Sequence, residues 1–187
     1  MVFLDSIKRG IRLIKLDGNA AIELANDTSS TIYGWVIILI ASLLASLSIF
    51  IKIVPFDTQN FLIETVSYVI FAALGILIFH GLAKLFGGQS RLIEYFRAQS
   101  HVSLLSWLAI FSAIEIPFVP NILEWLIAIW SIIMGVVVLK AVHKLSTWKA
   151  IIVALALPLI LVILVAIGAL AYFGVLSPDK FLPAKLG

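Results

Sequence analysis

Side chains that can bind anions or move protons are concentrated in one segment, residues 80–98, HGLAKLFGGQSRLIEYFRA. His80 and Lys84 lie four residues apart, so they share one face of a helix. Arg91 and Arg97 follow within the same segment. Ammonium and guanidinium groups bind phosphates and carboxylates, and an imidazole can also carry a proton or bind a metal ion. The segment is therefore the first candidate for a binding site.

Two further histidines accompany cations later in the chain. His101 follows the segment directly, and His143 lies between Lys140 and Lys144. The chain contains three histidines and no cysteine. No two histidines have the three- or four-residue spacing that places a pair of metal ligands on one helix face. We therefore expect these residues to bind an anionic group, and we expect no metal centre.

Catalytic motifs are absent from the sequence. It contains no Walker loop, no HExxH, no GxSxG and no dinucleotide-binding glycine pattern. The pair Gly87-Gly88 is expected to end a helix, because glycine readily adopts the left-handed conformation found there. Ser90 is expected to cap the helix that follows. We expect neither an enzyme nor a bound cofactor.

Three other residues suggest transport as the alternative function. Glu64 and Glu115 lie near the ends of apolar segments, and His101 enters another such segment. Ionisable groups within a bilayer are typical of ion or proton paths. The alternative to a binding protein is therefore a small ion or solute transporter or channel that uses Glu64, His101 and Glu115.

The elements that position these groups are apolar helices. Hydrophobic residues make up 63% of the 187 residues and charged residues 12%, and the mean hydropathy is +1.17. A soluble domain has about 25% charged residues, so this composition indicates a bilayer, in which one span needs about 20 mostly apolar residues. The sequence predicts an all-α integral membrane bundle of five transmembrane helices, near residues 32–54, 61–85, 101–116, 122–142 and 148–173.

The distribution of positive charge predicts the orientation of this bundle. When the compartments alternate across five spans, one side receives ten of the thirteen Lys and Arg residues. Cytoplasmic loops carry the excess of such residues. We therefore expect a multi-pass protein of the cell membrane, with the N-terminus in the cytoplasm and the C-terminus outside. The ten residues are Lys8, Arg9, Arg12, Lys15, Lys84, Arg91, Arg97, Lys140, Lys144 and Lys149.

An amphipathic helix is predicted near the N-terminus. Its apolar face consists of Phe3, Leu4, Ile7, Ile11 and Ile14, and its opposite face carries Asp5, Lys8, Arg9, Arg12 and Lys15. This pattern indicates an interfacial helix that is attracted to anionic lipid, with a helix packed on a protein partner as the alternative. The predicted organisation is a cytoplasmic helix and polar connector in residues 1–31, a membrane domain in 32–174 and a short outer tail in 175–187.

Together these groups suggest a basic cytoplasmic face that binds anionic lipid or an unknown protein partner. Ordinary anchoring of Lys and Arg at the headgroup level is the alternative to a dedicated site. We expect no nucleic-acid partner, and self-association into a homo-oligomer stays open. The candidate residues are Lys8, Arg9, Arg12, Lys15, His80, Lys84, Gly87, Gly88, Arg91, Arg97, His101, Lys140, His143 and Lys144.

Two segments resemble the signature of the Yip1-domain family of membrane proteins. Residues 80–108, HGLAKLFGGQSRLIEYFRAQSHVSLLSWL, have its helix-ending turn, glycine pair, aromatic-Arg segment and Ser-containing span. Residues 127–167, IAIWSIIMGVVVLKAVHKLSTWKAIIVALALPLILVILVAI, are similar to the end of that domain, with its His-containing helix end and a final span that contains a proline. The resemblance extends over roughly residues 30–173 and supports five spans.

The resemblance implies a non-catalytic membrane adaptor or organiser. Eukaryotic members of the family are adaptors of early secretory vesicles that engage small GTPases of the Rab type. They carry a long cytosolic N-terminal region, often with an Asp-Leu-Tyr-Gly-Pro stretch, which is absent here. Rab binding is therefore not expected. The chain looks like the shorter bacterial and archaeal members, for which the resemblance implies no particular activity.

Overall fold

The computed structural model describes residues 2–51, 56–114, 116 and 118–172, and within these residues it contains helices and no strands. The predicted all-α class is therefore confirmed. The chain divides into two compact units, residues 1–154 and 155–187. The described part of the second unit continues the last helix to Tyr172. The helices are α1 (Phe3–Ile14), α2 (Gly18–Asn26), α3 (Ser30–Phe50), α4 (Thr58–Leu85), α5 (Leu92–Gln99), a 3₁₀ helix (Ser100–Ala113), α6 (Val119–His143) and α7 (Thr147–Tyr172).

Four of the described helices are long and apolar enough to cross a membrane, namely α3, α4, α6 and α7. The predicted third span is instead the 3₁₀ helix of 14 residues. A 3₁₀ helix rises about 2.0 Å per residue, so these residues extend about 28 Å, compared with about 21 Å for an α-helix. That length approaches the hydrocarbon thickness of about 30 Å. The count of five spans stays a prediction.

Small residues of α3 allow this helix to pack closely along the 3₁₀ helix. A side chain at Gly34 would collide with Ser100, so the two backbones approach there. Ala41 and Ala45 are buried further along α3, in agreement with the packing face that small residues predict for this helix. The 3₁₀ helix thus packs against α3, and it also contacts α1, α5 and α6.

The polar connector that was predicted after the N-terminal helix contains a second helix, α2. Asp17 caps it by accepting hydrogen bonds from the backbone N–H groups of Asn19 and Ala20. Its residues Ala20, Ala21 and Leu24 are fully buried, and α2 packs on α5 and α6. Interpretation as a connector was wrong for α2, because alanine gives a weak hydropathy signal although it packs closely between helices.

The buried hydrophobic cluster of the first unit includes the end of α6 that carries His143. Leu24 of α2, Tyr95 of α5 and Met134, Val138 and Leu139 of α6 are all buried there in one cluster. The candidate histidines adjoin this core, so their surroundings are ordered by packing.

Candidate functional site

The glycine pair forms the turn that was predicted from the sequence. Gly87 has a φ of +91°, a conformation that suits glycine, and α4 ends directly before it at Leu85 and Phe86. A side chain at Gly88 would collide with His143 and with the backbone carbonyl of Ala83. The turn therefore lies against the end of α6, and both glycines are required by its geometry.

Two lysines of the predicted basic face donate hydrogen bonds to backbone carbonyls at this turn. The ammonium Nζ of Lys84 donates to the carbonyl oxygen of Gln89 at 3.5 Å. The Nζ of Lys149 donates to the carbonyl oxygen of Phe86 at 3.0 Å. The second contact satisfies the carbonyl of Phe86, the residue that caps the end of α4, and each ammonium has donors left for another acceptor.

His80 and His143 meet beneath the turn. Their Nδ1 and Nε2 atoms lie 3.2 Å apart, and the Oγ of Ser90 lies 3.0 Å from Nδ1 of His143. The Tyr95 ring stacks against both imidazoles, with a centroid distance of 4.9 Å to His143. Ser90 was expected to cap α5, but it bonds His143 instead, because the close approach at Gly88 brings the end of α6 to it.

The third histidine lies in a separate buried cluster. The Oγ of Ser6 in α1 is 2.6 Å from Nε2 of His101, and Nδ1 of His101 is 2.7 Å from the carbonyl oxygen of Arg97. Since a carbonyl only accepts, Nδ1 carries the hydrogen and Ser6 donates to Nε2. Ser6 and His101 are both 0% exposed. The pair therefore ties α1 to the 3₁₀ helix and has no access for a substrate.

The two arginines of α1 are held by carboxylates of α2 and its flanking residues. Arg9 pairs with Asp27 at 3.2 Å, and Arg12 pairs with Asp17 at 2.7 Å and with Glu23 at 2.9 Å. Sequence analysis placed these cations on a face that attracts anionic lipid. In the structure their charge is largely balanced within the chain.

The pKa values of these acids follow from the same contacts. The Arg12 guanidinium, which donates to Asp17, holds the pKa of that carboxyl below its ordinary value. Burial raises the pKa of Asp27, but hydrogen bonds from Ser29 and the charge of Arg9 outweigh it, so the net pKa is lowered. Both carboxylates are therefore ionised at neutral pH and bind α1 to α2.

A helix that lies on a bilayer contacts it through one apolar face, whereas α1 also packs against the bundle. Its buried residues are Ser6, Gly10 and Leu13, and the indole Nε1 of Trp130 donates to the carbonyl oxygen of Ile14 at 2.9 Å. The predicted apolar face is partly free, with Leu4 63% exposed. One face of α1 thus packs on the bundle, and a second apolar face is available to lipid.

The remaining candidate cations are exposed or serve the fold. Arg97 donates to Thr31 and to the carbonyl oxygen of Ala25, which joins α5 to the start of α3. Arg91 pairs with Glu94 at 2.7 Å, yet its side chain is 78% exposed. The backbone N–H and guanidinium of Arg91 lower the pKa of Glu94. The other exposed candidates are Lys8, Lys15, Lys84, Lys140 and Lys144.

A polar recess of about 380 Å³ opens beside the turn, between α2, the start of α5 and the end of α6. Gln89, Ser90, Glu94 and Lys144 line it, together with Asn26. Glu94 is the single carboxylate in this described lining, and it is already paired with Arg91. The recess is therefore an accessible polar pocket bordered by cations.

The residues proposed for transport are not brought together. His101 is enclosed beside Ser6, whereas Glu64 lies near Tyr68, on which it acts electrostatically. Tyr68 and Ser112 line one recess, so Glu64 is near the far end of the 3₁₀ helix. Glu115 lies outside the described residues.

A row of serines on the 3₁₀ helix was not predicted from the sequence. These serines line recesses between this helix, α4 and α6. The signal was the spacing of Ser103, Ser106 and Ser112 by multiples of three residues, which places side chains in line on a 3₁₀ helix. In the described part of the chain, no group of three or more His, Cys, Asp or Glu side chains could hold a metal ion.

Four long apolar helices and an otherwise helical chain define an all-α, multi-pass membrane protein. A family model, the Yip1 domain, matches residues 18–170. The chain therefore belongs to the Yip1 domain family, as its glycine turn and His-containing helix end indicated. No curated protein and no solved structure gave a significant match.

Proposed function

We propose that this protein is a non-catalytic membrane organiser that holds anionic lipid headgroups at the end of the bundle marked by Gly87. The surface concerned, here called the basic rim, consists of Lys84, Arg91, Lys140, Lys144 and Lys149. This end is assigned to the cytoplasmic face of the cell membrane because the sequence places most of its Lys and Arg residues there.

The observation that carries the proposal is the balance of charge around the polar recess. Lys144 lines the recess and Lys140 lies one turn before it in α6. Lys84 and Lys149 are anchored on the adjoining turn. Glu94, the one carboxylate among the described lining residues, pairs with Arg91. An excess of positive charge is thus presented beside a pocket of headgroup-binding polar atoms.

The expected free energies favour a lipid-binding site over ordinary anchoring of Lys and Arg at the headgroup level. Each Lys or Arg near an anionic leaflet contributes about 1 kcal/mol, and the attraction weakens with salt. Two cations of the rim are held in place by backbone carbonyls, so little side-chain freedom is lost when a phosphate binds. Scattered flexible lysines would lack that preorganisation.

The transport alternative is not proposed for Glu64, His101 and Glu115. Glu64 lies near the far end of the 3₁₀ helix, whereas His101 is enclosed beside Ser6. An acidic protein partner at the basic rim is a second ligand class, which the following experiment separates from lipid.

The test uses the full chain in nanodiscs that contain a fluorescent phosphatidylglycerol at a low fraction in phosphatidylcholine. Trp148, beside Lys149, is 58% exposed and serves as an energy donor. Lys140→Gln with Lys144→Gln is expected to lower apparent enrichment of the anionic lipid by about five-fold per charge at low salt. The matched control is Lys8→Gln with Lys15→Gln, which removes the same charge from α1.

Enrichment that is unchanged in the rim variant, or that is insensitive to salt, would contradict lipid binding there. An equal loss in the α1 control would show a general charge effect and would also contradict a dedicated rim. Binding of an acidic protein without lipid enrichment would replace the lipid proposal with a protein adaptor.

A further inference from the structure

A line of hydroxyl groups runs along the 3₁₀ helix, separate from the basic rim. Ser103, Ser106 and Ser112 are spaced by multiples of three residues, with Ala109 at the intervening position. Three residues complete one turn of a 3₁₀ helix, so side chains at positions i and i+3 eclipse. On an α-helix, each step of three residues would turn the side chain by about 60°. The 3₁₀ geometry therefore aligns these hydroxyl groups, whereas an α-helix would distribute them around its axis.

Three recesses open along this line and together form what we call the serine groove. Their volumes are about 460, 220 and 150 Å³. Ser131 of α6 lines all three, and Ser106 lines the two larger ones, so the recesses are adjoining parts of one groove. Its polar lining includes Tyr68, Gln99, Ser103, Ser106, Glu124 and Ser131.

Polar groups of the groove lack partners within the described part of the chain. The hydroxyls of Ser103, Ser106 and Ser131 make no hydrogen bond to another described residue. The amide oxygen of Gln99 is buried without a partner. By contrast, Ser112 donates to the carbonyl oxygen of Ala109 at 2.7 Å. Within a bilayer an unsatisfied polar group is costly, so these groups call for water or a ligand.

The groove has room for that water. One water molecule occupies about 30 Å³ of liquid, and the widest recess alone measures about 460 Å³. The smallest recess is lined by the buried ring of Tyr95, which lies against His143. The groove thus leads into the packed core at that recess, which suits a half-channel better than a pore.

The charge of the lining selects the ligand. Glu124 lines the widest recess beside Tyr68, and Glu64 acts electrostatically on the same tyrosine. Among the described residues, no Lys or Arg lines any of the three recesses. The remaining polar ligands are hydroxyl and amide oxygens, which hard cations accept in place of hydration water.

We propose that the serine groove is a water-filled half-channel that takes up a small hydrated cation from its Glu124 end. The carboxylate of Glu124 concentrates the cation at the wide recess, and Ser106 and Ser131 hold it halfway along the groove. The proposal goes beyond lipid binding at the basic rim and uses none of the same residues, so either can fail alone.

The test exploits the absence of cysteine from the chain, which makes single-cysteine variants specific reporters. Ser106→Cys and Ser131→Cys are prepared in proteoliposomes and treated with cationic and anionic methanethiosulfonate reagents of similar size. After correction for their rates with free cysteine, the cationic reagent is expected to react at least about tenfold faster. Reaction is expected only from the side on which a reporter at the exposed Asn121 reacts.

Two controls make the outcome decisive. Leu108→Cys lies on the same helix, 42% exposed, but lines none of the three recesses, so it is expected to react far more slowly with both reagents. Glu124→Gln combined with Ser131→Cys is expected to bring the two corrected rates together.

Three results would each overturn the proposal. Groove cysteines as unreactive as Leu108→Cys would show that the groove is dry. Equal corrected rates for the two reagents would show that it does not favour cations. A charge preference that survives Glu124→Gln would remove the carboxylate from the site. Because serine and cysteine are similar in size, two groove positions protect the test against a single misfolded variant.

Discussion

Polar side chains at the two ends of the 3₁₀ helix differ in whether their hydrogen-bonding groups have partners. At the end near Gly87, the buried imidazoles of His101 and His143 each have both ring nitrogens within hydrogen-bond distance of a partner. Toward the other end, Ser106 and Ser131 face an open groove without partners in the described part of the chain. The histidines, which could take part in acid–base or metal chemistry, stabilise the fold. Serine hydroxyls, which are less reactive, line the groove.

This difference shows that residue type is a weaker indicator of a site than hydrogen-bond satisfaction. A buried imidazole whose nitrogens are both occupied has no capacity left for a ligand. A serine hydroxyl that faces a cavity retains its donor and its acceptors. Three experiments, ordered from the largest expected effect to the smallest, test whether the packed end is structural and the groove is not.

Gly88→Ala is expected to have the largest effect on stability. The added methyl would collide with His143 and with the carbonyl of Ala83, and overpacking of this kind costs about 1–3 kcal/mol. The apparent Tm, followed by tryptophan fluorescence in detergent at one heating rate, should fall by roughly 5 °C.

The matched control for this variant is Gly81→Ala in α4. A methyl there meets nothing within 4 Å, and alanine is favoured over glycine within a helix by about 1 kcal/mol. Its Tm should therefore stay the same or rise. If both substitutions lowered the Tm equally, the tight approach at Gly88 would be refuted.

Ser6→Ala and Ser103→Ala remove the same hydroxyl from the two kinds of environment. Ser6→Ala leaves Nε2 of His101 buried without a donor, which costs about 1–3 kcal/mol. Ser103→Ala removes a group with no partner among the described residues, so its effect should stay within about 0.5 kcal/mol. Chemical unfolding in mixed micelles measures both, and a larger loss for Ser103→Ala would reverse the comparison.

The third experiment has the smallest expected effect. Acid should weaken the contact of α1 with α2. The pKa of Asp27 is lowered in the fold, so its carboxylate stabilises the protein above the ordinary pKa of about 4. That contribution is lost as the pH falls further, through the lowered pKa. Asp27→Asn should lower the Tm by roughly 2 °C at pH 6.

The same variant should lose less stability than the unmodified protein between pH 5 and pH 3. Asp57, which is also held ionised but by Asn60 at the start of α4, provides the control as Asp57→Asn. A pH profile that is identical in the unmodified protein and in Asp27→Asn would show that the hydrogen bonds from Ser29 and the ion pair with Arg9 do not stabilise the ionised carboxylate of Asp27.

Much of the fold could be predicted because it depends on local composition. The long apolar segments, the helix-ending turn at Gly87 and the amphipathic α1 all follow from residue type and spacing. The nine-residue helix α2 was not predicted, because its alanines become informative only when α5 and α6 bury them. The site was predicted less well, since hydrogen-bond partners such as Ser6 and His101 are 95 positions apart.

The sequence by itself determined that this is an all-α membrane protein of the Yip1 domain family, because hydropathy and short motifs are properties of neighbouring residues. Only the tertiary structure decided which polar groups are satisfied. Packing against α3 accompanies the 3₁₀ form of Ser100–Ala113, and that form aligns serines which an α-helix would separate. Long-range contacts thus placed the histidines in the fold and left the serines facing a groove.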